Sequence, residues 1–143
     1  MQKTEQLRNA LGTVQSLHNF LEASTKRHAI IIETPVEEDN LRLTLKSLSF
    51  TRWSFRWEAV KSVIELLKRI VRTLLKLSED KNAKTFADAR CLLTPISDFE
   101  FVLGLCVLKV ILCSICDVSR YLQGKSIDVI SARRAADMTI KSL

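Results

Sequence analysis

The side chains of this chain that could do chemistry are its cysteines, two histidines, a few carboxylates, and a short run of tryptophans and arginines. Cys113-Ser-Ile-Cys116 has the spacing of half a zinc site or of a redox couple. A closed zinc site needs two further ligands, but Cys91 and Cys106 stand alone and His18 and His28 lie far away in sequence. Redox pairs sit where a helix starts after a strand, whereas this pair is deep inside an apolar stretch, so the expectation is buried structural cysteine. His18 and His28 have no neighbouring carboxylate or cysteine pattern and carry no metal or catalytic expectation. Glu37, Glu38, Asp39, Glu79 and Asp80 fall in polar turns and read as solvated charges, not as the carboxylate pair of acid–base or two-metal chemistry. A Gly-rich phosphate loop and a Gly-x-Ser-x-Gly elbow are both absent from the sequence. No catalytic residue, metal ligand, cofactor or small-molecule substrate is expected.

Arg52-Trp53-Ser-Phe-Arg56-Trp57 is more suggestive. Two tryptophans four apart share a face if both are helical, and core packing is the simplest use of each. Trp53, however, lies at a loop-to-helix junction between Arg52 and Arg56. There its indole could stack on an unpaired base while the guanidinium groups hold phosphates. Downstream, Lys61, Lys68, Arg69, Arg72 and Lys76 gather opposite an apolar stripe of Val60, Val63, Ile64, Leu67, Ile70, Val71 and Leu74. That wet basic face could track a polyanion through counterion release, or serve as an ordinary solvated helix surface.

These residues are positioned by helices. The chain has 143 residues, 47% of them hydrophobic, with three glycines and two prolines, a composition against both disorder and a turn-rich β domain. Leu7, Ala10, Leu11, Val14, Leu17 and Leu21 predict a helix from Thr4 to Glu22. A short helix over His28 to Ile32 follows, then an acidic loop around Pro35 to Asn40 and a short element over Leu41 to Leu48. The longest helix is predicted from Ser54 to Leu77, ended by the polar turn Ser78 to Asn82, and the next from Ala83 to Leu93, stopped by Thr94-Pro95. Ser97 or Asp98 caps an apolar helix that ends at Gly124, and Ser126 or Asp128 opens a last one reaching Leu143.

The longest apolar run, Phe101 to Cys116, contains Lys109 and is shorter than the roughly 20 residues that span a bilayer. It reads as a buried helix, and no membrane partner is expected. The N-terminus has no apolar signal region, which with the unpaired cysteine pattern predicts a reducing, intracellular setting. A net charge of +6 makes an acidic partner a candidate.

Two blocks resemble the hAT superfamily of DNA transposases and its domesticated relatives. One is Val14 to Arg27, similar to the helix and Ser-x-Lys-Arg segment upstream of the Arg-Trp motif; the other runs from Leu48 through Thr51-Arg52-Trp53-Ser54 to Val60. Ala89-Arg90, Phe99-Glu100-Phe101 and Ser119 to Gln123 are similar to the helical insertion that interrupts the RNase H-like domain of that family. The subgroup it looks most like includes zinc finger MYM-type protein 1-like and TTF-type zinc finger proteins. The resemblance implies that Trp53 corresponds to the Arg-Trp tryptophan that stabilises distorted DNA, with Arg52 beside it. The family cuts DNA with a triad of carboxylates and two metal ions, and none of the three carboxylates can be placed in this chain. Phe50 departs from the acidic or cysteine residue that often precedes Thr-Arg-Trp.

The expectation is therefore an all-α chain resembling the insertion region of an RNase H-like transposase domain, with residues 1–50 leading to the Arg-Trp motif and 51–143 forming an insertion-like helical bundle. The expected function is that of a non-catalytic derivative of a hAT-like transposase contacting DNA through Arg52, Trp53, Arg56, Lys61, Lys68, Arg69, Arg72 and Lys76. The alternative is a helical protein-interaction module with no nucleic-acid role, marked by an exposed apolar patch. Self-association or a protein partner goes with that reading. The resemblance implies a nuclear location, the alternative being cytoplasmic.

Overall fold

The computed structural model describes the backbone of residues 2–34, 53–124 and 128–143. Six helices make up the described part: α1 (Gln2–Glu22), α2 (Thr25–Glu33), α3 (Trp53–Leu77), α4 (Ala83–Ile96), α5 (Phe99–Leu122) and α6 (Val129–Ser142). No strand occurs among the described residues, and the fold is all-α. The expected element at Leu41 to Leu48, the acidic loop and the Ser126 cap lie outside the described residues.

α3 is the hub. It packs against α1, α2, α4 and α5, which requires a wider apolar arc than a surface helix carries. Ala59, Val60, Val63, Leu66, Ile70, Leu74 and Leu77 are buried, with Ile64, Leu67 and Val71 half-buried at the margins. Against them lie Val14, Leu17 and Leu21 of α1, Ile31 of α2, Ala89 and Ile96 of α4, and Phe101, Leu105, Leu108 and Leu112 of α5. Each fully buried leucine or isoleucine contributes roughly 1.5–3 kcal/mol of transfer free energy. α1 and α5 run side by side in the same direction: Nε2 of Gln6 donates to Oε2 of Glu100 at 3.2 Å, and one turn on Ala10 meets Gly104.

α2 lies antiparallel to the end of α3. Lys26 reaches Asp80 beyond that end, and the buried hydroxyls of Thr73 and Thr34 are 3.2 Å apart. Arg27 secures the α1–α2 corner by donating from Nη1 to the carbonyl of Phe20 at 2.7 Å and stacking 4.5 Å from the centroid of that ring. It thereby occupies one of the carbonyls a helix end leaves without a partner.

Several boundaries differ from expectation. α2 begins three residues earlier than predicted, at Thr25, because Arg27 and Lys26 anchor its first turn. α4 continues through Pro95 to Ile96, since the side chain of Ile96 is drawn into the core and the proline costs only a bond in the last turn. Asp98, not Ser97, caps α5 by accepting from the backbone N–H of Glu100. Gly124 follows the α5 C-cap Gln123 as predicted, yet no described glycine has a left-handed backbone, so the turn does not depend on one there. Asp128 caps α6, accepting from the N–H of Ser131 at 2.6 Å.

Candidate functional site

Two surfaces compete for a function, the basic side of α3 and the outer side of α5. Of the expected DNA-contact residues, Arg52 lies outside the described residues, and Trp53 is the first residue of α3 with its side chain likewise outside them. Arg56 is half-buried one turn on. Lys61 is half-buried, its ammonium group 5.1 Å from the centroid of the Trp57 ring and 3.8 Å from Oε1 of Glu65. A cation held over an indole and beside a carboxylate has less charge to offer a phosphate. Trp57 itself packs half-buried against the core, as expected of a core anchor.

Arg69 does not lie on the wet face. It is 8% exposed, beside the buried Leu66, Ile70 and Thr73, because contact with four helices widens the packed arc of α3 until it takes in that position. Lys68, Arg72 and Lys76 remain, exposed at four-residue spacing along one side. The expected basic face is thus a shorter row with Glu65 at its start.

The outer side of α5 is where the sequence reading falls short. Phe101, Gly104, Leu105, Leu108, Leu112 and Cys116 face the core. On the opposite side Phe99 is 75%, Leu103 50% and Val110 64% exposed, with Val107 and Cys106 exposed between them. The run Phe101 to Cys116 is therefore not a buried helix but a helix apolar on both sides and buried on one. By length and composition α5 could cross a membrane, yet its inner side is built into the core of the bundle.

α6 covers part of the flank of α5. Its small residues Ser131, Ala132, Ala135, Ala136 and Thr139 are half-buried, and its end returns to Cys106, Val107, Val110 and Ile111, where Ser142 and Leu143 close a groove of about 420 Å³. The two helices are antiparallel. Leu143, more than half exposed, adds apolar surface at this groove. The signal for this surface was in the sequence: a helix with a single charged residue between Glu100 and Asp117 has no polar side to give to water.

The cysteines divide differently from expectation. Cys116 is buried, Cys113 is half-buried with its thiol 3.9 Å from Oδ2 of Asp117, and Cys91 and Cys106 are exposed. His18 and His28 are half-buried on successive helices, with Nδ1 of His28 2.9 Å from Oε1 of Glu22 but without hydrogen-bond alignment. Among the described residues no three of His, Cys, Asp and Glu stand together as a metal-binding group.

The chain is similar to the human 52 kDa repressor of the inhibitor of the protein kinase. The two are 26% identical over 145 residues, covering 94% of this chain and 19% of the relative. The chain thus spans about a fifth of the length of that curated relative. No family model and no solved structure matches it.

Proposed function

We propose that this chain is a non-catalytic helical module, of the kind carried by domesticated hAT-like transposases, that works by docking protein. The observation that carries the reading is the two-sided α5, whose inner face builds the core while Phe99, Leu103, Val107 and Val110 face outward. An apolar face of this extent is costly in water and marks a contact surface. The similarity to a much longer human protein named as a repressor agrees with a module that acts within a larger assembly. A nuclear setting rests on the hAT resemblance.

The test is substitution on the two sides of one helix. At concentrations low enough to keep single chains apart, Leu103→Glu and Val110→Glu should leave the far-ultraviolet spectrum and thermal midpoint near those of the parent chain and weaken its binding of an apolar dye. Unfolding by either change would mean that the outer side is core and would remove the docking surface.

The exposed row of Lys68, Arg72 and Lys76 favours DNA contact as a second reading. Fluorescence anisotropy against duplex, single-stranded and hairpin DNA separates the two. The docking reading expects no preference among these forms and no change with Trp53→Ala. A hairpin preference that weakens with salt and is lost in Trp53→Ala would put DNA first.

A further inference from the structure

We infer that the occupant of the α5 face is a second copy of this chain, packed antiparallel through α5. The inference rests on the docking role proposed above and commits it to one partner. Phe99, Leu103, Cys106, Val110 and Cys113 recur at alternating spacings of four and three, the period at which one helix packs along another. Two copies laid antiparallel, with a two-fold axis between Leu103 and Cys106, bring Phe99 against Val110 of the second copy and Leu103 against its Cys106. Each large side chain then faces a smaller one, so the layers interdigitate on both sides of the axis.

Charge selects this register. Moving the axis one turn toward the C-terminus would set Phe99 against Asp117 of the second copy, burying a carboxylate on an aromatic ring. With the axis between Leu103 and Cys106, Asp117, Arg120 and Tyr121 lie beyond the seam. The groove bounded by Val107, Val110 and Leu143 borders that seam and is open to side chains of the second copy.

Extent agrees. Phe99, Leu103, Val107 and Val110 are 75%, 50%, 40% and 64% exposed along one length of α5, so a second copy laid on that length covers apolar surface on both partners at once. A lipid surface would also accept apolar side chains, but only the pairing of copies uses the large-against-small order along the stripe.

The experiment is light scattering on the full chain after size exclusion, together with cross-linking by a short bismaleimide. The cross-linking compares a variant keeping Cys106 (Cys91→Ser, Cys113→Ser) with one keeping Cys91 (Cys106→Ser, Cys113→Ser). The expected result is a dimer, dimer-sized cross-linking only where Cys106 is kept, and dissociation at least about tenfold easier in Leu103→Glu. Leu103 is half exposed, so that variant keeps its fold.

A monomer whose Cys106 thiol reacts with maleimide at the rate of an unstructured peptide would overturn the second copy and leave the face open to a different protein. Binding of that monomer to anionic phospholipid vesicles would overturn it in favour of a lipid surface. A monomer whose Cys106 is protected would overturn both the second copy and the docking role, because the chain itself would cover the face. A dimer that cross-links through Cys91 and persists in Leu103→Glu would overturn the α5 interface.

Discussion

Nζ of Lys26 lies 3.0 Å from Oδ2 of Asp80, joining the first turn of α2 to the turn that leaves α3. Oδ1 of the same carboxylate accepts the backbone N–H of Asn82 at 3.0 Å. Asn82 then caps α4 by accepting from the N–H groups of Lys84 and Thr85. One aspartate thus links three helices through a turn.

The Asn82 backbone N–H, and after it Lys26, hold the Asp80 carboxyl below the ordinary aspartate value. A carboxyl whose value is lower folded than unfolded adds stability at pH above the ordinary value, and loses it as pH falls through the folded value. Asp80→Asn should therefore melt below the parent chain at neutral pH, with the two midpoints converging as pH drops below 3.8. Thermal melts across that range, with carboxyl NMR to follow Asp80, check this.

The cap itself is testable apart from the charge. Asn82→Ala should cost about 0.5–2 kcal/mol, since two N–H groups of the first α4 turn lose their acceptor. Urea midpoints at neutral pH measure it, and helix loss should be confined to α4 in amide exchange.

At the α1–α5 crossing, a Cβ added to Gly104 would stand 3.5 Å from the Cβ of Ala10, an ordinary contact. Gly104→Ala should therefore be tolerated and gain roughly 0.5–1 kcal/mol of helix propensity. Gly104→Leu should lose about 1–3 kcal/mol by forcing the helices apart. Gly12 has open space around its Cβ position, and Gly12→Ala should stabilise α1 by a similar amount. Denaturant titration of the three variants decides the signs.

The two sides of α5 predict opposite responses to truncation. Leu105→Ala, on the inner side, should cost about 2–5 kcal/mol by opening a cavity in the core. Leu103→Ala, two residues away, should change the stability of the isolated fold by no more than about 0.5 kcal/mol. Similar losses for both, measured at concentrations low enough to separate copies, would contradict the two-sided helix.

The all-α class and the two long helices were legible in the sequence, which also narrowed the cap of α5 to Ser97 or Asp98 and that of α6 to Ser126 or Asp128. Each of these follows from local rules: apolar residues recurring at three and four, and a short acceptor side chain ahead of an apolar run. It also carried the blocks at Val14 to Arg27 and Leu48 to Val60, on which the hAT resemblance stands.

Tertiary structure decided which of several apolar or basic positions faces what. Arg69 reads as solvated from periodicity, but α3 serves four neighbours and its buried arc is wider than one stripe. Lys26 and Arg27 read as part of a motif and prove to be braces, because their partners are Asp80, far along the chain, and a carbonyl at the end of α1. Periodicity could not divide α5 into core and outer sides, since a helix apolar all round has no phase. Only the packing of α1 and α3 against Leu105 and Leu108 selects the inner face, leaving Leu103 and Val110 turned toward water.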